Sequence, residues 1–220
     1  MGVRKVEERS VKRFSHLSIA AFLEDLSSPD PVPGAGPATA HLGAVAAAVV
    51  IMVAGNNLKM ASEDASRERF RKVLEEGVLL RDELSDLVGE DADVYFQVMA
   101  ALDLPRQNDS EKKARDRAIA AAMRVATDIP LQMMARCLAT FNLAQILAQD
   151  GSKMAAPDAL AAAEMAAAGV YACGAMIRAN LPRVRDEDYA DRALQEVGRM
   201  EGELGLEDLR IAVGERVAPK

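Results

Sequence analysis

Apolar residues recur every three to four positions along most of the chain, the spacing of one helix face, and no stretch alternates in the manner of a strand. Ile19, Phe22, Leu23 and Leu26 predict a first amphipathic helix over about 18–28, with these side chains inward. Pro31-Val32-Pro33-Gly34-Ala35-Gly36-Pro37 then interrupts the pattern, because such a run cannot sit inside a helix. Pro37 suits the first position of a second helix, which should run to a stop at Gly55-Asn56-Asn57. Residues 42–54 of that helix are apolar throughout. The run is too short to span a bilayer, so a helix buried on all sides is expected.

A third helix is predicted over about 62–88, with Phe70, Val73, Leu74, Gly77, Leu84 and Leu87 inward and Gly89 at its end. The fourth should cover 91–102 on a stripe of Tyr95, Val98, Met99 and Leu102, before Leu104-Pro105 breaks it. Ser110 could cap a fifth helix, and Asp128 with Pro130 should end it and start a sixth that stops at Asp150-Gly151. Pro157 opens a seventh, closed by Leu181-Pro182. An eighth covers about 186–204, and a thinly patterned tail leaves room for a short ninth. Without a linker or repeat, the expected architecture is one all-α, single-domain bundle of about eight or nine helices. It would occupy residues 16–205, with a lead-in at 1–15 and a tail at 206–220.

Composition agrees with helix-on-helix packing: 11 Met, no Trp, five Phe and three Tyr among 220 residues leave little for a β sandwich. A net charge of −7 argues against nucleic-acid and acidic-membrane partners. The basic stretch Arg4–Arg13 contains Glu7 and Glu8 and leads into no apolar signal core. Cys137 and Cys173 stand far apart without partner motifs, which suits buried free thiols in a reducing, cytoplasmic setting. With only two histidines, His16 and His41, no zinc cluster is expected.

Backbone amides near Gly34 and Gly36 would point outward at a helix N-terminus, where an anion or oxyanion can sit, although many such turns only connect helices. Polar residues on inward faces are the other signal. Asp91 lies four before Tyr95 and seven before Val98, continuing a buried stripe; a first-turn carboxylate facing the helix dipole is the plainer reading. Arg178 and Glu164 fall near the packing face of the seventh helix, where Arg178 could equally snorkel near a C-terminus. Asp158 reads as a cap or first-turn acid. His41 reads as a hydrogen-bonded core histidine, yet it lies beside the glycine bend and could titrate near neutral pH.

In order and spacing these pieces resemble the cyclodeaminase/cyclohydrolase family of folate enzymes. The resemblance is carried by Pro33-Gly34-Ala35-Gly36, Met52-Val53-Ala54, Asp91-Ala92-Asp93 through Leu104-Pro105, Glu111 to Arg115, Ala126 to Leu131, Asp158 and Asn180-Leu181. It covers roughly residues 17 to 205. It implies an all-helical homodimer acting without metal on a tetrahydrofolate derivative, either hydrolysing the methenyl form or cyclodeaminating the formimidoyl form. It also implies a catalytic role for Asp91 and substrate-binding roles for Gly34, Ala35, Gly36, His41, Lys59, Asp158, Arg178 and Asn180. The chain departs from the family pattern in three places: Gly34-Ala35-Gly36-Pro37 where the loop usually has three glycines and a serine, Met176 in place of an asparagine, and Lys59 one place out of register. Ala35 should therefore intrude on the pocket. Transfer of the one-carbon unit to a non-folate acceptor, or folate binding without catalysis, are the alternatives those departures leave open.

Overall fold

The computed structural model describes residues 11–218, so the predicted lead-in lies mostly outside the described residues. A short 3-10 turn, Val11–His16, precedes α1 (Ile19–Leu26), α2 (Ala35–Met60), α3 (Asp64–Leu102) and α4 (Asp109–Asp150). The turn Lys153–Ala155 leads into α5 (Ala156–Asn180), and the turn Leu181–Arg183 into α6 (Glu187–Gly202) and α7 (Leu206–Val217). The described residues thus form an all-α bundle with seven α-helices, fewer than the eight or nine expected, because two predicted breaks do not occur. Gly89 is buried inside α3, which continues past it through Asp91. Pro130 lies inside α4.

Proline at 130 has no N–H to give the carbonyl four residues earlier, that of Ala126. The Asn180 side-chain amide fills the vacancy, donating to the Ala126 carbonyl at 2.8 Å. A long helix tolerates its proline here because another helix supplies the missing donor. Asn180→Ala should lower stability by roughly 1–3 kcal/mol, read as a fall in the urea midpoint at unchanged slope. In a Pro130→Ala background, where the helix regains its own N–H, most of that cost should vanish.

α2 and α3 form an antiparallel hairpin whose close points are glycines. A β-carbon on Gly43 would stand 3.1 Å from Leu84, and one on Gly77 3.1 Å from Ile51. Cys137 of α4 wedges between α2 and α5: its Sγ lies 2.9 Å from where Gly43 would carry a β-carbon and 2.7 Å from that of Gly169. Both thiols are free and buried. Alanine-rich α2 and α5 can therefore approach α4 closely, as low side-chain volume permits. Two apolar clusters result, one around Leu84, Met133 and Ile177, the other around Val50, Phe141 and Leu147.

α2 starts two residues earlier than expected, at Ala35, so Pro37 is its third residue rather than its first, and it runs past Asn57 to Met60. Asn57 is not a stop. Buried, it accepts a hydrogen bond from the Ser152 N–H at 2.6 Å and donates to the Val53 carbonyl at 3.0 Å, tying α2 to the α4–α5 connection. Nor is the helix buried on all sides. α2 and the run Lys153–Arg183 are both long and apolar enough to cross a membrane, and each has only half of its most apolar window buried. In α1 only Phe22 is buried; Ile19 and Leu23 are 78% and 55% exposed, against the inward position expected for them. Asn108 rather than Ser110 caps α4. The predicted tail forms α7, which buries Leu209 and Val213 and donates from Arg216 to the Ala148, Gln149 and Gly151 carbonyls at the end of α4.

Candidate functional site

The hairpin register places Asp91 of α3 against Gly36, in the first turn of α2. A β-carbon at Gly36 would fall inside van der Waals contact of both carboxyl oxygens and the carboxyl carbon of Asp91. Gly36 is buried, and among the described residues Asp91 makes no hydrogen bond. Burial without a compensating donor pushes the carboxyl up from its ordinary 3.8 to about 6. Beside it, the amides of Ala35 and Gly36 have no acceptor within their helix, and Gly34 supplies no side-chain cap. The arrangement is an acid–base group of near-neutral pKa packed beside the first turn, at the positive end, of a 26-residue helix.

The side chain of Ala35 is exposed, and the glycine that contact with the carboxyl demands is Gly36. Cys173 of α5 also stands near Asp91; burial raises its thiol pKa foremost, and the neighbouring Cys137 and Asp91 act in the same direction. Sequence reasoning treated this thiol only as core. Its spacing of one turn from the close-contact Gly169 is the signal that puts it on the same face.

Other residues implied by the resemblance divide between the two ends of the bundle. Arg178 and Asn180 share the bend's end, five and seven residues beyond Cys173. Arg178 is held by Glu201 of α6 through two bonds of 2.8 and 2.7 Å, and it rims a trough of about 390 Å³ floored by Leu181, Pro182, Ala190 and Leu194. The Asn180 amide is committed to Ala126. Met176 is half-buried against the core. Glu164 pairs with Arg210 of α7.

His41 is five residues past Gly36, about 140° around the helix from the face Asp91 touches. Its ring meets Phe22 edge-on at 4.3 Å, and its Nε2 is buried without a partner among the described residues. Burial lowers its pKa, opposed by a bond to the Phe14 backbone, which favours the neutral ring. Lys59 and Asp158 lie at the opposite end from the bend, Lys59 in the last turn of α2 and Asp158 in the first turn of α5. Twenty-three residues separate Lys59 from Gly36, roughly 35 Å of helix, so within one chain neither joins Asp91.

Comparison with known proteins adds the lineage. Residues 18–199 match the family model described as formiminotransferase-cyclodeaminase. A methenyltetrahydrofolate cyclohydrolase of Methylorubrum extorquens is 32% identical over 194 residues, 88% of this chain and 93% of its own. A formimidoyltransferase-cyclodeaminase of Rattus norvegicus is 23% identical over 183 residues, and the chain spans only 34% of its length. The crystal structure of a formiminotetrahydrofolate cyclodeaminase from Thermotoga maritima shares the fold at a TM-score of 0.79 with 23% identity, covering 91% of this chain and 96% of the other. With its bundle, glycine bend and family match in agreement, this chain belongs to the formiminotransferase-cyclodeaminase family.

Proposed function

We propose that the protein is a folate one-carbon enzyme that hydrolyses 5,10-methenyltetrahydrofolate, with Asp91 as its acid–base group. The observation that carries this reading is the Asp91 carboxyl lying bare against Gly36 at the N-terminus of α2. The cyclohydrolase of Methylorubrum extorquens, at 32% identity against 23% for the cyclodeaminase structure that matches as fully, favours hydrolysis over deamination.

In this mechanism the ionised carboxylate stabilises the cationic methenyl bridge and takes a proton from water as the water oxygen bonds to the bridge carbon. That addition quenches the cation and leaves a carbinolamine. The protonated Asp91 then returns its proton to the departing ring nitrogen as the carbon–nitrogen bond breaks. Loss of the hydroxyl proton to solvent leaves the formyl group on the other nitrogen, for a net release of one proton. The Ala35 and Gly36 amides stabilise negative charge developing on oxygen. No step asks for a metal.

The enzyme we propose is a homodimer, a reading supported by the apolar outer faces of α2 and α5. Val45, Met52 and Tyr171 are about half exposed on them. Loss of the methenyl-folate absorbance on adding purified protein tests the activity, with formimidoyl-folate run beside it. Ammonia release from the second substrate alone would reassign the chemistry to cyclodeamination, and turnover of neither would overturn the reading.

A further inference from the structure

Given Asp91 as the reacting acid, a premise taken from the preceding reading, we infer that Cys173 is its positioning residue. A thiol beneath the carboxyl, where a hydroxyl would donate, leaves the ionised form without a hydrogen bond and keeps it basic enough to take a proton from water. Helix register puts the two together. The Cys137 Sγ is flanked by Gly43 of α2 and Gly169 of α5, which sets those glycines at one level. Towards the bend, Gly36 lies seven residues from Gly43, and Cys173 lies four from Gly169. Three residues of rise, about 4.5 Å, therefore separate Cys173 from the level at which Asp91 meets Gly36. The thiol is fully buried, and Asp91 acts on it electrostatically across that gap.

The surroundings supply no substitute donor among the described residues. Val170 and Ile177, one turn to either side of Cys173, are buried and apolar. Ala126 with Asn180 and Cys137 with Gly169 fix α4 against α5, and the same register sets buried Met133 opposite Cys173. Ionisable groups on the neighbouring elements are engaged elsewhere: His41 of α2 with Phe14 and Phe22, Asp128 of α4 with Tyr189, Arg178 of α5 with Glu201. On α3 itself, Tyr95 stacks edge-on against Phe96, and Glu90 and Asp93 are exposed, as is His16 of the leading turn. Cys137 lies behind Cys173, and burial keeps both thiols protonated. A thiol is a weak donor, and that of Cys173 makes no hydrogen bond among the described residues. Buried hydroxyls in this fold donate to the carbonyl four residues back, as Thr39, Thr127 and Thr140 do. A serine at 173 would choose between the Gly169 carbonyl and an ionised carboxylate, and the charge-assisted bond is the stronger.

Cys173→Ser and Cys173→Ala, compared through the pH profile of kcat/KM for methenyl-folate, test the assignment. Serine should move the midpoint about one unit below the wild-type value near 6 and lower the plateau kcat about threefold, because the carboxylate becomes a weaker base. Alanine brings no donor, so its midpoint should stay near 6 even where lost packing lowers the unfolding temperature. A merely structural thiol predicts the reverse order, since serine is the closer replacement in size. Carbon-13 NMR titration of the Asp91 carboxyl, its signal assigned with Asp91→Asn, reads the same shift without turnover. A serine midpoint unmoved in that titration, or an alanine midpoint lowered as far as that of serine, would overturn the inference. A carboxyl shift that leaves the rate profile unmoved, or full activity in Asp91→Asn, would instead sink the underlying assignment of Asp91 as the base, a separate and recognisable failure.

Discussion

Replacing Asp91 with asparagine should lower turnover of methenyltetrahydrofolate by about 10²–10⁴-fold, the range a positioned acid–base group contributes. The same variant should be more stable than wild type at neutral pH. Burial raises the carboxyl from 3.8 to about 6, so the folded chain holds this proton more tightly than the unfolded one. Stability therefore falls as pH rises from about 4 to about 6 and stays lower above, where the ionised carboxylate costs up to about 3 kcal/mol. Asparagine removes that cost, so the gain in unfolding temperature appears above pH 6 and disappears below pH 4. Wild-type kcat/KM should rise through a midpoint near 6 as Asp91 ionises. Equal stability at pH 8, or an activity profile flat across pH 5–7, would contradict a buried carboxylate working as the base.

Gly36→Ala should be nearly as damaging, for a steric reason. The added methyl would occupy the place of the Asp91 carboxyl, which must rotate or retreat. Displacement of a reacting group by about 1 Å can cost on the order of 10²-fold in rate, and a loss of that order in kcat is expected. Helix propensity predicts the opposite, since alanine is better than glycine inside a helix by about 1 kcal/mol. An Asp91→Ala background separates the two effects. There the methyl has room, and Gly36→Ala should be neutral or slightly stabilising in thermal melts. An undiminished kcat in Gly36→Ala alone would show that the carboxyl position does not govern the rate.

Helical periodicity made most of the fold legible, because amphipathic spacing is a local property. What stayed hidden was decided by groups far away in sequence. Pro130 carries the local signature of a break, but the Asn180 amide donates to the carbonyl it orphans, and Gly89 carries that of a stop, but packing absorbs it. Asn57 read as a helix end, when its carboxamide is a buried tie to Ser152. Ile19 and Leu23 follow helical spacing yet face outward, since periodicity reports a common face and not what covers it. At the site, Asp91 stood out as a carboxylate continuing an apolar stripe. Its contact with Gly36 was implicit in hairpin arithmetic: 36 pairs with 91 as 43 pairs with 84. Lys59 and Asp158 were grouped with it because a motif order carries no information about which end of a long rod each member occupies.

Two rods, α3 of 39 residues and α4 of 42, run unbroken through both apolar clusters. Neither half of the molecule can melt while its neighbour stays intact without snapping a continuous helix. The chemistry at one extremity thus inherits its stiffness from packing some tens of ångströms off, and a cavity opened around Phe141 or Leu147 would be felt as looseness beneath the acid.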